Sequence, residues 1–264
     1  MESKLSQYNQ GFYRNQSDSS FRSAEIVLRF LFETIYRPTS ILDIGCGTGT
    51  WLAAANQLGV EHVFGIDGSN VAKDSLRVPP AMFQHHDLSE TVNLGKEFDM
   101  GISLEVAEHI SHESHDVYFK NLEQHADFIL FSAAIPYQGG TGHVSENWPN
   151  YWYQFFSNFG YQCFDILRPA LWGNRKICFW YRQNLLIFAR KEKAELLINK
   201  GAKSTNEPMA LVHPEMFIWS LKRSGELSSK QYERDILYLS KLHMDDVASI
   251  TEHEKYGELY NNAF

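Results

Sequence analysis

The sequence predicts an α/β fold: a largely parallel sheet with helices on both faces. Three observations carry this. Strand-length apolar runs alternate with helix-period stretches over residues 20–190. A glycine loop joins the first such run to the helix after it. The last two runs have no room for a crossover helix between them, so one end strand is expected to run antiparallel.

The elements follow in order. SFRSAEIVLRFLFETIYR (20–37) repeats apolar residues at helical spacing, and Pro38 stops it. ILDIG (41–45) has strand length and composition. The glycine loop comes next, then the helix TWLAAANQLG (50–59). HVFGID (62–67) is the second strand and AMFQHHD (81–87) a weaker third. FDMGISLE (98–105) is the fourth, a long helix is expected over 106–126, and DFILFSAAI (127–135) is the fifth. WPNYWYQFFSNFG (148–160) reads as a helix with Pro in its first turn and Gly at its end. YQCFDIL (161–167) and QNLLIFAR (183–190) complete seven strands, with an aromatic excursion over 168–182 between them. KEKAELLINKGAKSTNEP (191–208) reads as an exposed polar linker, and DILYLSKLHMDD (235–246) carries modest helical patterning. The predicted division is 1–19, 20–190 and 191–264.

Composition bounds the function. The chain has 264 residues, 44% of them hydrophobic, which excludes a disordered or disulfide-built protein. Its net charge of −8 argues against a long nucleic acid partner. Three widely spaced cysteines point to a reducing compartment. The polar start MESKLSQYNQ has no apolar signal core, and no apolar run is long enough for a membrane. The expectation is a cytoplasmic protein.

Asp43-Ile44-Gly45-Cys46-Gly47-Thr48-Gly49 follows a strand and opens a helix. Glycines there let backbone approach a ligand, and the helix N-terminus offers free N–H groups. The second strand ends in Asp67-Gly68, where a carboxylate can accept ribose hydroxyls. The third ends in His86-Asp87-Leu88, where an acid can meet an adenine amino group. A dinucleotide-binding oxidoreductase would continue as G-x-G-x-x-G, but here the spacing is G-x-G-x-G, followed by Thr50. The run LDIGCGTG with these acids resembles the class I S-adenosylmethionine-dependent methyltransferases. That resemblance covers 20–190 and implies a Rossmann-like, doubly wound, seven-stranded sheet with an antiparallel last strand. It implies that S-adenosylmethionine is the cofactor. Gly45, Gly47 and Gly49 would line its methionine part, and Asp43, Cys46 and Ser103 are further cofactor-binding candidates. Asp67 and Gly68 would take the ribose, and Asp87 with Leu88 would flank the adenine. In related enzymes the segment before the first helix folds over the cofactor, which makes Tyr8, Tyr13 and Arg22 candidates to close the site, Arg22 by pairing with the methionine carboxylate.

A second cluster follows the fourth strand. If a helix starts near Glu105, then Glu105, Glu108 and His109 share one face at i, i+3 and i+4. The Gly-rich loop PYQGGTGHVSENWP (136–149) brings His143 and Glu146 to the neighbouring strand edge. Two carboxylates and two imidazoles suit a divalent ion (Mg, Mn, Fe or Zn), which would lower the pKa of an acceptor hydroxyl. The spacing resembles two metal-dependent O-methyltransferase families, one acting on small-RNA 3′ ends and one on ubiquinone precursors. That resemblance implies Glu105, Glu108, His109 and His143 as ligands. The alternatives are His143 as a metal-free base and a structural cluster in which first-turn acids satisfy the helix dipole. His112, His115 and Asp116 read as a solvated helix face. Trp148 and Trp152 are candidates to stack on an acceptor, with core packing as the competing reading. Trp172, Trp180 and Tyr181 raise the same question.

The expected activity is methylation of a hydroxyl on a small polyol, sugar or sugar-containing natural product, with catechol-like acceptors next. N-methylation and a non-catalytic binding subunit are the alternatives. A homodimer through the C-terminal extension is a further expectation.

Overall fold

The computed structural model describes residues 19–68 and 71–250. Helix α1 (19–34) buries Ala24, Val27, Leu28 and Leu31, the stripe its periodicity predicts. Then follow β1 (Ser40–Ile44), α2 (Thr50–Gln57), β2 (His62–Asp67), β3 (Phe83–His85), β4 (Met100–Leu104), α3 (His115–Glu123), β5 (Phe128–Ser132) and α4 (Pro149–Asn158). After them come β6 (Gln162–Phe164), α5 (Leu167–Leu171), α6 (Phe179–Asn184), β7 (Leu186–Ala189), α7 (Lys191–Asn199), α8 (Pro214–Ser224) and α9 (Ser229–Ile250).

The sheet has seven strands in the order β3-β2-β1-β4-β5-β7-β6. All neighbours are parallel except β7, which is antiparallel to both β5 and β6. The antiparallel strand is thus the last in the chain but not at an end of the sheet; β6 takes the edge. Successive side chains alternate between two cores. Phe128 and Leu130 pack with α1, and Ile129 and Phe131 pack with α3 and α4. Among the described residues no helix is long and apolar enough to cross a membrane.

Three further expectations are corrected. The long helix over 106–126 is instead two 3₁₀ turns, Ala107–His109 and His112–Ser114, before the nine-residue α3. The carbonyl of Glu108, which an α-helix would offer to its own fourth amide along, accepts the N–H groups of Val144 (2.9 Å) and Ser145 (3.1 Å) instead. His115 is not on a solvated face. It is completely buried, with Nδ1 2.9 Å from the Tyr151 hydroxyl and its ring among Trp152, Phe155 and Phe119. The linker begins as α7, whose Ala194 and Leu197 join the core beneath α1, and Thr205 bridges back to Cys163 beyond it.

Arg190, just after β7, ties this layer down. It donates to Glu123 and Asp127, each at 2.6 Å. Burial alone would raise both carboxyls. Hydrogen bonds from Lys120 and Arg190 to Glu123, and from Arg190 and Lys191 to Asp127, outweigh it and hold both below their usual values. A depressed folded pKa gives stability that is present above the unfolded value of about 4 and lost as pH falls through the folded one. Arg190→Met is therefore expected to flatten the acid limb of the stability curve below about pH 4. Urea denaturation at stepped pH measures this; parallel curves for the two proteins would refute it.

Candidate active site

The sheet order reverses between β1 and β4, and ligands of open α/β sheets bind outside the carboxyl ends of strands at such a point. The glycine loop leaves β1 there. Gly45, Gly47 and Gly49 all have positive φ (86°, 53° and 79°), which glycine adopts without a Cβ penalty. The end of β2 pins the loop. The Ile66 carbonyl accepts Gly45 N–H at 2.8 Å. The Asp67 carboxylate accepts Gly47 N–H and Gly68 N–H, each at 2.6 Å.

The other cofactor candidates are placed differently from one another. Asp43 lies within the sheet, paired in register with Gly65 and Ile102, and is nearly buried. Burial, then the Asp67 charge, push its carboxyl well above the usual range. Cys46 is buried and its thiol is raised by burial. Asp87 is exposed, and hydrogen bonds from the Ser89 hydroxyl (2.6 Å) and amide (2.9 Å) lower its pKa. Leu88 beside it is buried. Ser103 is completely buried, donating to the Ile44 carbonyl at 2.6 Å and bonded to the Tyr118 hydroxyl, so it fastens β4 to β1. Arg22 lies exposed on α1, whereas Tyr8 and Tyr13 fall outside the described residues.

The second cluster is assembled by β4 and the loop after β5. Glu105 follows β4 directly, with φ 56°, and donates its N–H to the Ser132 carbonyl. Its carboxylate accepts Gln138 Nε2 (2.7 Å) and Asn184 Nδ2 (3.1 Å). Burial raises the Glu105 carboxyl, against the pull of these amides. The turn at Glu105 separates it from the next acid. Glu108 is completely buried and neither carboxylate oxygen has a side-chain hydrogen-bond partner; only the backbone amides of Glu108 and Ala134 counter its burial. Burial, then the Glu105 charge, push it well above the usual range. Ligand atoms of Glu108, His109 and His143 lie within 4.8 Å of one another. Glu105 falls outside that group, because the helix that would have aligned it with Glu108 does not form.

The imidazoles are fixed by their Nδ1 atoms. His143 Nδ1 lies 2.7 Å from Glu146 Oε1, and His109 Nδ1 lies 3.2 Å from the Gly142 carbonyl. Each partner is an acceptor, so each Nδ1 carries a proton, and in the neutral ring Nε2 is the atom with the lone pair. His143 Nε2 is 4.0 Å from Glu108 Oε1. The His143 ring lies over Gly140, where a Cβ would come 2.1 Å from Nε2.

Sequence reasoning missed Gln138, Asn184 and Arg223. Gln138 and Asn184 hold Glu105, and Arg223 of α8 donates to the carbonyls of Gln138 (3.0 Å) and Tyr137 (3.1 Å). Polar side chains in the loop around His143 were a signal for Gln138; nothing local marks Arg223. Of the aromatic candidates, Trp152 and Tyr181 are core residues, and Trp148 is 40% exposed.

Comparison with known proteins gives three findings. A family model described as a methyltransferase domain matches residues 17–168. The ribosomal protein L11 methyltransferase of Lactobacillus gasseri is 33% identical over 86 residues, 32% of this chain; the match spans only 27% of that relative. Two crystal structures share the fold. Streptomyces venezuelae DesVI aligns with TM-score 0.53 and 13% identity, over 72% of this chain and 100% of that one. The sugar N-methyltransferase KedS8 from Streptoalloteichus aligns with TM-score 0.52 and 15% identity, over 69% and 92%.

Proposed function

The chain belongs to the methyltransferase-domain family, and from that premise we propose that it methylates a hydroxyl on a small polyol, sugar or sugar-bearing acceptor with help from a divalent ion. Its coarse activity is S-adenosylmethionine-dependent methyl transfer. The observation that supports the finer reading is Glu108: a fully buried carboxylate with no cationic side chain within hydrogen-bond distance, facing two imidazoles through their Nε2 edges. A buried charge without a partner is expensive, and a cation removes that cost. Metal-bound histidines characteristically donate their other N–H to a carboxylate or a carbonyl, as His143 and His109 do here. The donor set of one carboxylate and two imidazoles therefore fits a divalent ion such as Mn or Zn, held by Glu108, His109 and His143. Bound there, the ion would lower the pKa of an acceptor hydroxyl.

The chain's own residues do the rest. The glycine loop receives the methionine part of the cofactor and Asp67 its ribose. Glu146 holds the proton of His143 at Nδ1, and the Gly142 carbonyl holds that of His109. In the transfer the methyl C–S bond breaks as the C–O bond forms. The sulfonium becomes the neutral thioether of S-adenosylhomocysteine, and the acceptor's hydroxyl proton passes to solvent water. A second reading rests on the Glu146–His143 pair: without an ion, His143 Nε2 accepts that proton itself and Glu146 stabilises the imidazolium.

The test is S-adenosylhomocysteine formation with glycerol, methyl glucoside, nucleotide-linked hydroxy- and amino-sugars, and catechol. Each is run with EDTA and with added Mg, Mn or Zn. A hydroxyl acceptor whose turnover EDTA abolishes and one metal restores supports the first reading. Turnover indifferent to EDTA, with no metal by elemental analysis, leaves the His143 base. Turnover only of amino-sugars overturns O-methylation.

A further inference from the structure

Tyr137 combines a left-handed backbone with an exposed ring. Its φ is 70°, in the left-handed region that bulky side chains avoid. Three glycines stand nearby in the same loop, two of them (Gly139 and Gly142) at positive φ, so a glycine would suit position 137 at lower strain. The ring gains no burial in exchange: Tyr137 is 81% exposed. Among the described residues its hydroxyl has no hydrogen bond and its ring no aromatic partner.

The backbone is nonetheless held on two sides. Tyr137 N–H donates to Glu146 Oε2 at 2.8 Å. Oε1 of that same carboxylate accepts Gly139 N–H (2.5 Å) and His143 Nδ1–H (2.7 Å). From the other side Arg223 grips the carbonyls of Tyr137 and Gln138, its guanidinium resting on Trp219 at 4.4 Å from the ring centre. One carboxylate thus holds both the imidazole of His143 and the backbone from which the Tyr137 ring projects. Val144 and Trp148, 61% and 40% exposed, belong to the same segment. Strain kept in place by surrounding structure, with no packing gain, points to a role in binding.

We propose that Tyr137 is an acceptor-contacting, specificity-determining residue, on whose phenol face the acceptor lays the flat apolar face of a ring. This deepens the methyltransferase reading above and rests on it. Tyrosine offers a large, stiff amphipathic surface at little entropic cost, and suits a sugar or aryl ring with polar edges. Arg223 is its positioning residue, which gives the C-terminal extension a part in acceptor choice.

The test uses the full chain with S-adenosylhomocysteine present. Binding of methyl glucoside and of catechol is followed by saturation-transfer NMR, with glycerol as the ringless probe, in wild type, Tyr137→Phe, Tyr137→Asn and Arg223→Met. Asparagine tolerates positive φ, so Tyr137→Asn is expected to keep the Tm or raise it by about 2–4 °C. Ring-probe affinity should fall about tenfold in Tyr137→Asn, stay within twofold in Tyr137→Phe, and fall partway in Arg223→Met. Glycerol binding and S-adenosylhomocysteine affinity should not move. The two ring probes separate a sugar from an aryl preference. Equal ring affinity in wild type and Tyr137→Asn, or no ring binding by the wild type, overturns the proposal. Ring binding without turnover of any acceptor would instead overturn the proposed activity.

Discussion

His143→Ala is expected to lower the rate of methyl transfer by about two to four orders of magnitude, with S-adenosylhomocysteine affinity held within about twofold. The separation follows from the architecture. His143 hangs from the loop after β5 and meets Glu108 and His109, whereas the glycine loop is pinned independently by Ile66 and Asp67. Glu146→Gln should act more gently, by about 10–100-fold, since it keeps an acceptor for Nδ1–H but removes the charge behind it. Glu108→Leu is expected to split stability from activity. It removes a buried carboxylate with no side-chain hydrogen bond, whose desolvation costs about 1–3 kcal/mol, so the metal-free fold should gain stability while the ion is lost. Stopped-time assays of S-adenosylhomocysteine and urea denaturation measure both arms. Full activity in His143→Ala would remove this cluster from the chemistry.

What the sequence made visible and what it hid differ by the range of the interactions involved. β2 begins at His62 and ends at Asp67, and α4 runs from Pro149 to just short of Gly160, because alternation, proline and glycine act within a few residues. The segment after Glu105 was hidden because its fate is decided from outside. Its acids and alanine favour a helix locally, but Val144 and Ser145 take the carbonyl of Glu108 and the backbone turns at Glu105 instead. The same event decides the site: it keeps Glu108 with His109 and His143 and sends Glu105 to Gln138 and Asn184. Helix α7 was hidden for a different reason. Only Ala194 and Leu197 of its nine residues are buried, too thin a stripe to read against lysines and glutamates. The place of β7 between β5 and β6 is a matter of strand order, which no local pattern encodes.

Gly45→Ala is expected to cost about 2–5 kcal/mol of folding free energy, the largest effect of any single methyl group added to the glycine loop. Two penalties add. At φ 86° a side chain is strained by about 1–2 kcal/mol. The new Cβ would also lie 2.4 and 2.5 Å from the two γ-methyls of Val106, and overpacking of this kind costs about 1–3 kcal/mol. Val106 cannot swing clear, because it is β-branched and packed in the core of α3 and α4. Gly47→Ala is the matched control. Its φ is also positive, but a Cβ there meets nothing within 4 Å, so only the backbone penalty applies. Adding Val106→Ala should recover the steric part in Gly45→Ala and none in Gly47→Ala, a coupling of about 1–3 kcal/mol that denaturant titration resolves. Equal losses in the two single variants would refute the clash. The double variant then bears on function: with the clash relieved, poor S-adenosylhomocysteine binding by Gly45→Ala/Val106→Ala beside normal binding by Val106→Ala traces the loss to position 45, to its strained backbone at φ 86° and to the new methyl facing the cofactor.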